Sequence, residues 1–569
     1  MKRRSLHAAL AAFVSALAAS AVAPNAAAQT AGINMGAPVY DGIVATDAAR
    51  ASALTGATHV RVNFRLDKWK SPTDTTKVNG KTFFEAYDEI IETITSQGVE
   101  VYGLLNTELI SSGGAPGSAE LEDSYAANVL AVVGRYKDRV RVWETINEPN
   151  DYAGGSSARF PAAAFASAHG RVYDEVKVRH QGDACWDVKL VTGPLFSFDG
   201  TSAADFFDAT IAAGRAGGPW KAVRDVLGRD PIDDVGYHIY VAQGPDSPPS
   251  EVAASAGANL GAMNAVLAKY GIAGKKFWIS EIGFRLPLFD EAGQAARLDT
   301  TFAALGAPAR DDIASIQWFT IADFGGEGWG LYGASFAAQD RRTSHDHFVV
   351  QAKAFAPALA ARLEVAVPKQ AAPGSKVIAK IKATNLGKTA WDAASQVRLG
   401  AASGCPSAWS INGSAWELAA AEGYVTSPTD ARRYLPAASV VAQGESVTMD
   451  VLLVMPAGAG KAHFAARMVQ EGVAWFGSTA IADIDVGPSP SMPDGGVPGD
   501  DAGGAGGGAN AGLGPTGEPH KSASASCGCS EAAGSDVSSG ASAARGLLFG
   551  LVLTAFALRS SRRALAERA

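Results

Sequence analysis

Two glutamates stand at the ends of apolar, strand-like runs. The first closes Val140-Arg-Val-Trp-Glu-Thr-Ile-Asn147-Glu148-Pro149-Asn150. Val, Ile, Thr and Trp favour strands, and Pro149 ends the ladder because it has no N–H to donate. The second closes Lys276-Phe-Trp-Ile-Ser-Glu281-Ile-Gly283. A pair of carboxyl groups at strand ends is what hydrolysis of a glycosidic bond requires. One protonates the leaving oxygen; the other attacks the anomeric carbon or activates water. Partial burial at a strand mouth raises the pKa of a carboxyl such as that of Glu148 and keeps it protonated near neutral pH. The alternative for either residue alone is a solvated glutamate at a strand edge.

The elements that must carry these glutamates alternate between strand and helix, which predicts parallel βαβ units. Strand-like runs include Gly32–Met35, Thr58–Phe64, Val99–Asn106, the run before Glu148, Val188–Gly193, Asp234–Tyr240, the run before Glu281, and Ala314–Ile321. Phe84, Tyr87, Ile90, Ile91 and Ile94 recur at helical spacing between the second and third of them. Val349–Leu363 is expected to be the closing helix. Eight strands with helices between them predict an α/β fold closed as a (β/α)8 TIM barrel. An open doubly wound sheet is the alternative, but the sequence has no nucleotide-binding fingerprint. In such a barrel the active site lies at the C-terminal ends of the strands. The residues found there are Arg61, Asn63, Asn106, Asn147, Glu148, His238, Tyr240, Glu281 and Trp318. Asn147 and Glu148 are neighbours, so a regular strand would point them to opposite faces. For both to reach one site the strand end should carry a bulge. Glu144 shares parity with Glu148 but lies roughly 13 Å deeper at strand rise, as a buried structural carboxylate.

Trp143-Glu-Thr-Ile-Asn147-Glu148-Pro149-Asn150 and Trp278-Ile-Ser-Glu281-Ile-Gly283 resemble the motifs of clan A of the glycoside hydrolases, over about residues 31–360. Families 5 and 39 are nearest in motif style. The resemblance implies a TIM barrel, a retaining mechanism, and no metal or organic cofactor. Glu148 would be the acid/base and Glu281 the nucleophile. Asn147 would hydrogen-bond the sugar 2-OH, and Arg61 would pair with the nucleophile. Tyr240 would donate to the nucleophile, His238 would orient the site, and Trp318 would stack on a pyranose. Each supporting residue has a plainer alternative: an ion pair of Arg61 with Glu144, a turn residue for Asn147, core packing for His238 and Trp318. Trp329, in Gly325-Gly-Glu-Gly-Trp-Gly, is a further aromatic candidate for an outer subsite.

The chain has 569 residues, too many for one core. Its 49 basic and 57 acidic side chains form no basic cluster in the globular part, which argues against a nucleic-acid partner. The four cysteines, Cys185, Cys405, Cys527 and Cys529, do not define a disulfide framework or a zinc site. Residues 1–28 have a charged start, an apolar run and a small-residue cleavage site, as a secretory signal does. The barrel is expected over 29–362 and a smaller β-sandwich over 363–487. The latter loosely resembles an Ig-like domain through Asn385-Leu-Gly387, Trp391, Met455-Pro456 and Trp475-Phe476-Gly477. Residues 488–545 are rich in Gly, Ala, Pro and Ser and predict a disordered linker. Residues 546–569 hold an apolar run and a basic end. The order Cys527-Gly-Cys529, apolar run, basic end resembles the C-terminal sorting signal of myxobacterial surface proteins (MYXO-CTERM). It implies a tail that is processed or that stays as a membrane anchor.

These readings converge on a secreted, envelope-anchored glycosidase, a monomer acting on a β-linked glycan or glycoside. The rival from another class is a non-catalytic surface protein that binds carbohydrate on a barrel.

Overall fold

The computed structural model describes residues 29–36, 39–150, 160–197, 201–306, 310–323, 326–392, 394–401, 416–417, 432–436 and 438–487. The expected signal, linker and C-terminal segment lie outside these residues, as do Cys405, Cys527 and Cys529. Among the described residues no helix is long and apolar enough to cross a membrane.

Nine strands make one parallel sheet. They are β1 (Thr30–Asn34), β2 (His59–Phe64), β3 (Glu100–Leu105), β4 (Val142–Glu144), β5 (Lys189–Val191), β6 (Leu195–Ser197), β7 (Val235–Ile239), β8 (Phe277–Ile282) and β9 (Ile313–Phe319). Their order across the sheet is β5-β4-β3-β2-β1-β9-β8-β7-β6. The two ends, β5 and β6, are consecutive in the chain, with only Thr192, Gly193 and Pro194 between them. The sheet therefore curls until its ends meet. Val191 bridges Asp234 in parallel, just before β7. The Thr192 N–H donates to the Asp234 carbonyl at 3.1 Å. The result is a TIM-barrel-like α/β ring in which the fifth strand is broken in two.

Pro194 explains the break, because it cannot donate to the ladder. Gly193 is needed there as well: a Cβ would lie 2.2 Å from the Ile146 carbonyl oxygen. The sequence pattern stops the fifth strand at Gly193 and so misses β6.

Helices α1 (Thr46–Leu54), α2 (Phe83–Thr95), α3 (Ala119–Tyr136), α4 (Ala162–Tyr173), α5 (Thr201–Ala216), α6 (Gly218–Leu227), α7 (Glu251–Lys269), α8 (Glu291–Leu305) and α9 (Thr343–Phe355) lie between and after the strands. α2 starts at a capping box, in which Thr82 accepts from the Glu85 N–H and Glu85 accepts from the Thr82 N–H. Its Tyr87, Ile90, Ile91 and Ile94 join Val60, Val62, Ile279 and Ile316 of the strands in one buried core. Each such side chain contributes about 1.5–3 kcal/mol on leaving water. Among the alternate strand residues that point into the ring, Arg61, Glu144 and Ser280 are buried and joined through the Glu144 carboxylate.

α9 ends at Phe355, and Pro357 follows shortly after it. The expected closing helix thus gives way early, and Ala361–Ala366 is instead the first strand, β10, of a second unit. There, β11 (Gln370–Ala371), β12 (Lys376–Asn385), β13 (Val397–Ala401), β14 (Trp416–Glu417), β15 (Arg432–Tyr434), β16 (Ser446–Val454), β17 (Gly460–Gln470) and β18 (Ala474–Val486) complete two sheets. Their orders are β10-β12-β16-β14 and β11-β18-β17-β13-β15. Trp391, Ile381, Met449 and Phe464 are buried together in the core these strands share.

Candidate active site

β4 leaves the ladder at Glu144, four residues before Glu148. The chain between is pinned by hydrogen bonds of other kinds. The Asn147 N–H donates to Asn106 Oδ1 at 2.9 Å. The Glu148 N–H donates to the Pro194 carbonyl at 3.0 Å. Glu148 itself has φ +44°, in the left-handed region that a residue with a Cβ rarely occupies. That turn, rather than a bulge, brings Asn147 and Glu148 to the same mouth. The bulge lies elsewhere, in β8. The register of β8 shifts after Ile279 against both of its neighbours, resuming at Glu281 against β7 and at Ile282 against β9. Ser280 and Glu281 both reach the ring interior as a result, Ser280 to donate to Glu144 Oε1 at 2.8 Å and Glu281 to face Glu148.

Glu281 accepts hydrogen bonds from three groups, with His238 close by. Its Oε1 accepts from Arg61 Nη1 at 2.7 Å and from Asn34 Nδ2 at 3.2 Å. His238 Nε2 stands 3.5 Å from the same oxygen. Its Oε2 accepts from the Tyr240 hydroxyl at 2.8 Å. Arg61 spreads its fork further, with Nε donating to Glu144 Oε2 at 2.9 Å and Nη2 to Asn147 Oδ1 at 2.8 Å. His238 Nδ1 lies 2.7 Å from Glu148 Oε1. One oxygen of each glutamate and one His238 nitrogen fall within 4.8 Å of each other. Two carboxylates and an imidazole are a donor set that could hold a divalent cation, but here the Arg61 guanidinium already supplies positive charge to Glu281.

Burial dominates the electrostatics of these groups. It pushes the Glu281 carboxyl above its usual range, opposed by Arg61, the Tyr240 hydroxyl and Asn34. It works against the Arg61 charge, yet Glu144 and Glu281 outweigh it and hold the guanidinium protonated. Burial, with the nearby Arg61 charge, pushes His238 well below 6.5, so its ring is neutral at physiological pH. Burial and the Glu281 charge push the Tyr240 hydroxyl well up, so it remains a donor.

Six of the seven residues singled out in the sequence are thus joined by direct contacts: Arg61, Asn147, Glu148, His238, Tyr240 and Glu281. Trp318 is not among them, which corrects the expectation that it lines the site. It is fully buried and packs with Phe284, the ring centres 6.1 Å apart. The cause is strand alternation. Trp318 lies beside Ile33 and Ile282, which face the helices, whereas Gln317 and Phe319 take the inward face. The aromatic cluster at the mouth is Phe196, Tyr240, Phe319 and Trp329. Asn34, which donates to Glu281 Oε1, is a residue the sequence pattern did not single out. Its only signal was a polar residue ending a short first strand.

The wall behind Thr145 is sensitive to acid. His169, in α4, is fully buried, with Nδ1 3.0 Å from Thr145 Oγ1 and Nε2 2.8 Å from the Pro231 carbonyl. Burial pushes its pKa from 6.5 to about 4, the Pro231 carbonyl opposing. A histidine lowered in the folded state stabilises the fold fully above its unfolded pKa, and that stability is lost as the pH falls. Between pH 6.5 and 4 the loss from His169 should reach about 3 kcal/mol. His238 shifts in the same direction. Thermal unfolding followed from pH 7.5 to 4 should show a falling midpoint, with a shallower fall in His169→Asn. Parallel curves for the two proteins would contradict this assignment.

No family model matches the chain, and no curated protein matches it. Among solved structures, it is similar to a family 39 glycoside hydrolase from the gut symbiont Bacteroides cellulosilyticus WH2, with 14% identity, 75% of this chain and 81% of that one covered, and a TM-score of 0.39. It is also similar to an intracellular xylanase from Thermoanaerobacterium saccharolyticum, with 12% identity, 56% and 95% coverage and a TM-score of 0.38. A rice β-glucosidase is similar with 14% identity, 54% and 86% coverage and a TM-score of 0.39. At these identities and TM-scores the likeness lends no function to this chain.

Proposed function

We propose that the protein is a retaining glycoside hydrolase acting on a β-linked glycan or glycoside, with water as the acceptor. The observation that carries this reading is the placement of Glu148 and Glu281 across one mouth, with one oxygen of each within 4.8 Å of the other. Retaining pairs stand about 5–5.5 Å apart and inverting pairs about 6.5–9.5 Å. In the first step Glu281 attacks the anomeric carbon while Glu148 gives its proton to the departing glycosidic oxygen. In the second, ionised Glu148 takes a proton from water, whose oxygen displaces Glu281 and regenerates both carboxyl groups. Arg61, Asn34 and Tyr240 keep the Glu281 charge fixed and aimed. His238, neutral and against Glu148 Oε1, can donate to the ionised carboxylate or accept from the protonated one. Export and anchoring at the envelope are part of the same proposal and rest on residues 1–28 and 546–569, outside the described structure.

The test is the full chain on matched aryl glycosides with good and poor leaving groups, and on β-linked polysaccharides. Glu148→Ala should lower turnover of poor leaving groups by about 10²–10⁴-fold, and that of activated aryl groups far less, because they need little protonation. Equal losses on both would remove Glu148 from the acid's role. Glycan binding without turnover by the unaltered protein would favour a carbohydrate-binding surface protein instead.

A further inference from the structure

The loop after β8 places a guanidinium beside this mouth. Arg285 follows Glu281 by four residues, and its guanidinium carbon lies 5.9 Å from the centre of the Trp329 ring. Trp329 belongs to the mouth. It meets Tyr240 edge-on with ring centres 5.5 Å apart, and Phe319 likewise at 5.9 Å. Tyr240 is the residue whose hydroxyl holds Glu281.

Two close backbone contacts fix the loop. The Leu286 N–H donates to the Gly328 carbonyl at 3.0 Å. Gly283 fits so tightly that a Cβ would lie 2.4 Å from the Phe319 carbonyl oxygen and 3.3 Å from the Trp329 ring. The rim that carries Arg285 is therefore built onto the wall that carries Trp329.

Other described cations of the strand-end loops and of α8 have partners. Arg65 pairs with Asp67 at 2.7 Å, Lys68 with Asp41 at 3.0 Å, and Arg342 with Asp323. Arg297 lies over Phe289 and donates to the Gly293 carbonyl. Arg285 differs: among the described residues its guanidinium has no hydrogen bond or ion pair, only the Trp329 face. Glu327, two residues before Trp329, makes no ion pair with it. A guanidinium resting on an indole keeps its N–H donors free at its edge, and that planar fork matches a carboxylate with two parallel hydrogen bonds.

We propose that Arg285 is a specificity residue for an acidic sugar, a uronic acid whose carboxylate it receives beside the Glu281 side of the mouth. This deepens the glycosidase reading and rests on it. The substrate is then an anionic β-linked glycan rather than a neutral one.

The experiment compares matched pairs that differ only in the carboxylate: aryl β-glucuronide with aryl β-glucoside, and β-mannuronate oligomers with β-mannoside oligomers. Turnover is measured on the full chain, and binding by calorimetry on the Glu281→Ala variant, which needs no hydrolysis. At least one acidic member is expected to be preferred by tenfold or more in kcat/KM and in affinity. Arg285→Gln should bring that ratio towards one, and Arg285→Lys should fall between, because it keeps the charge and loses the fork. Melting curves of both variants establish that the fold is kept.

A neutral preference, or a ratio unmoved by Arg285→Gln, overturns the assignment while leaving the glycosidase reading intact. Arg285-dependent binding of the acid without turnover of any substrate supports this assignment and overturns the glycosidase reading. Neither turnover nor Arg285-dependent binding overturns both.

Discussion

Glu281→Ala is expected to lower turnover by about 10⁵–10⁶-fold, the scale seen when a nucleophile is removed from a preassembled site, while glycan binding survives. The side chain being removed is the centre of the hydrogen-bond network. Arg61, Asn34 and Tyr240 all aim at its two oxygens. These donors have little purpose at a solvated strand edge, and they fit a carboxylate that must remain charged in a buried place. Truncation leaves a small polar space beside the anomeric carbon, bounded by Arg61. Azide is an anion of suitable size for that space. With an activated aryl glycoside it should restore part of the turnover and give a glycosyl azide of inverted configuration, because one displacement replaces two. The fold should persist, since Arg61 keeps its contact with Glu144 at 2.8 Å. Residual hydrolysis within tenfold of the unaltered protein would sink the nucleophile assignment. So would an azide product of retained configuration, which requires a double displacement that the variant cannot perform.

The two glutamates were legible in the sequence because two local signals coincide there. An apolar run predicts the strand, and an acid at its end predicts where the side chain sits in a parallel ring. Arg61, His238 and Tyr240 were legible for the same reason. Trp318 shows the limit. Whether a residue faces the ring or the helices depends on the parity of its own strand, and β9 runs on to Phe319 without the irregularity that would change it. The neighbours Asn147 and Glu148 posed the same parity question. The answer was a left-handed Glu148 outside the ladder, its N–H on the Pro194 carbonyl and the Asn147 N–H on the Asn106 side chain. Such a turn depends on contacts more than 40 residues apart in the chain. The β8 shift that admits both Ser280 and Glu281 is likewise set by the strands on either side. Asn34 had no local signal beyond its position, because its role is defined only once β1 and β8 pair with the two edges of β9.

Arg61→Met is expected to damage stability and chemistry together, and the two effects are separable. Arg61 is 3% exposed and Glu144 fully buried, so the substitution strands Glu144 without its cation. Breaking a buried pair from one side costs about 3–5 kcal/mol, most of it from the charge left behind. Ser280 still donates to Glu144 Oε1. Denaturant unfolding should show the loss directly. The chemical effect follows from the other end of the guanidinium. Arg61 opposes the upward push of burial on Glu281. Without it the Glu281 pKa rises further, and a nucleophile that must be ionised loses activity on the acid side first. The acid limb of kcat/KM should therefore move to higher pH, with little change in the alkaline limb. Arg61→Lys keeps a charge but cannot reach Glu144, Glu281 and Asn147 together, so its acid limb should move less. A second substitution separates the two roles. In Arg61→Met/Glu144→Gln the stranded carboxylate is gone, so much of the stability should return while the acid limb stays displaced. If activity returned along with stability, Arg61 would be a structural counter-ion of Glu144 only. If the acid limb never moved in either variant, the Glu281 charge would be set by Tyr240 and Asn34, and the ion pair at 2.7 Å would have no part in the chemistry.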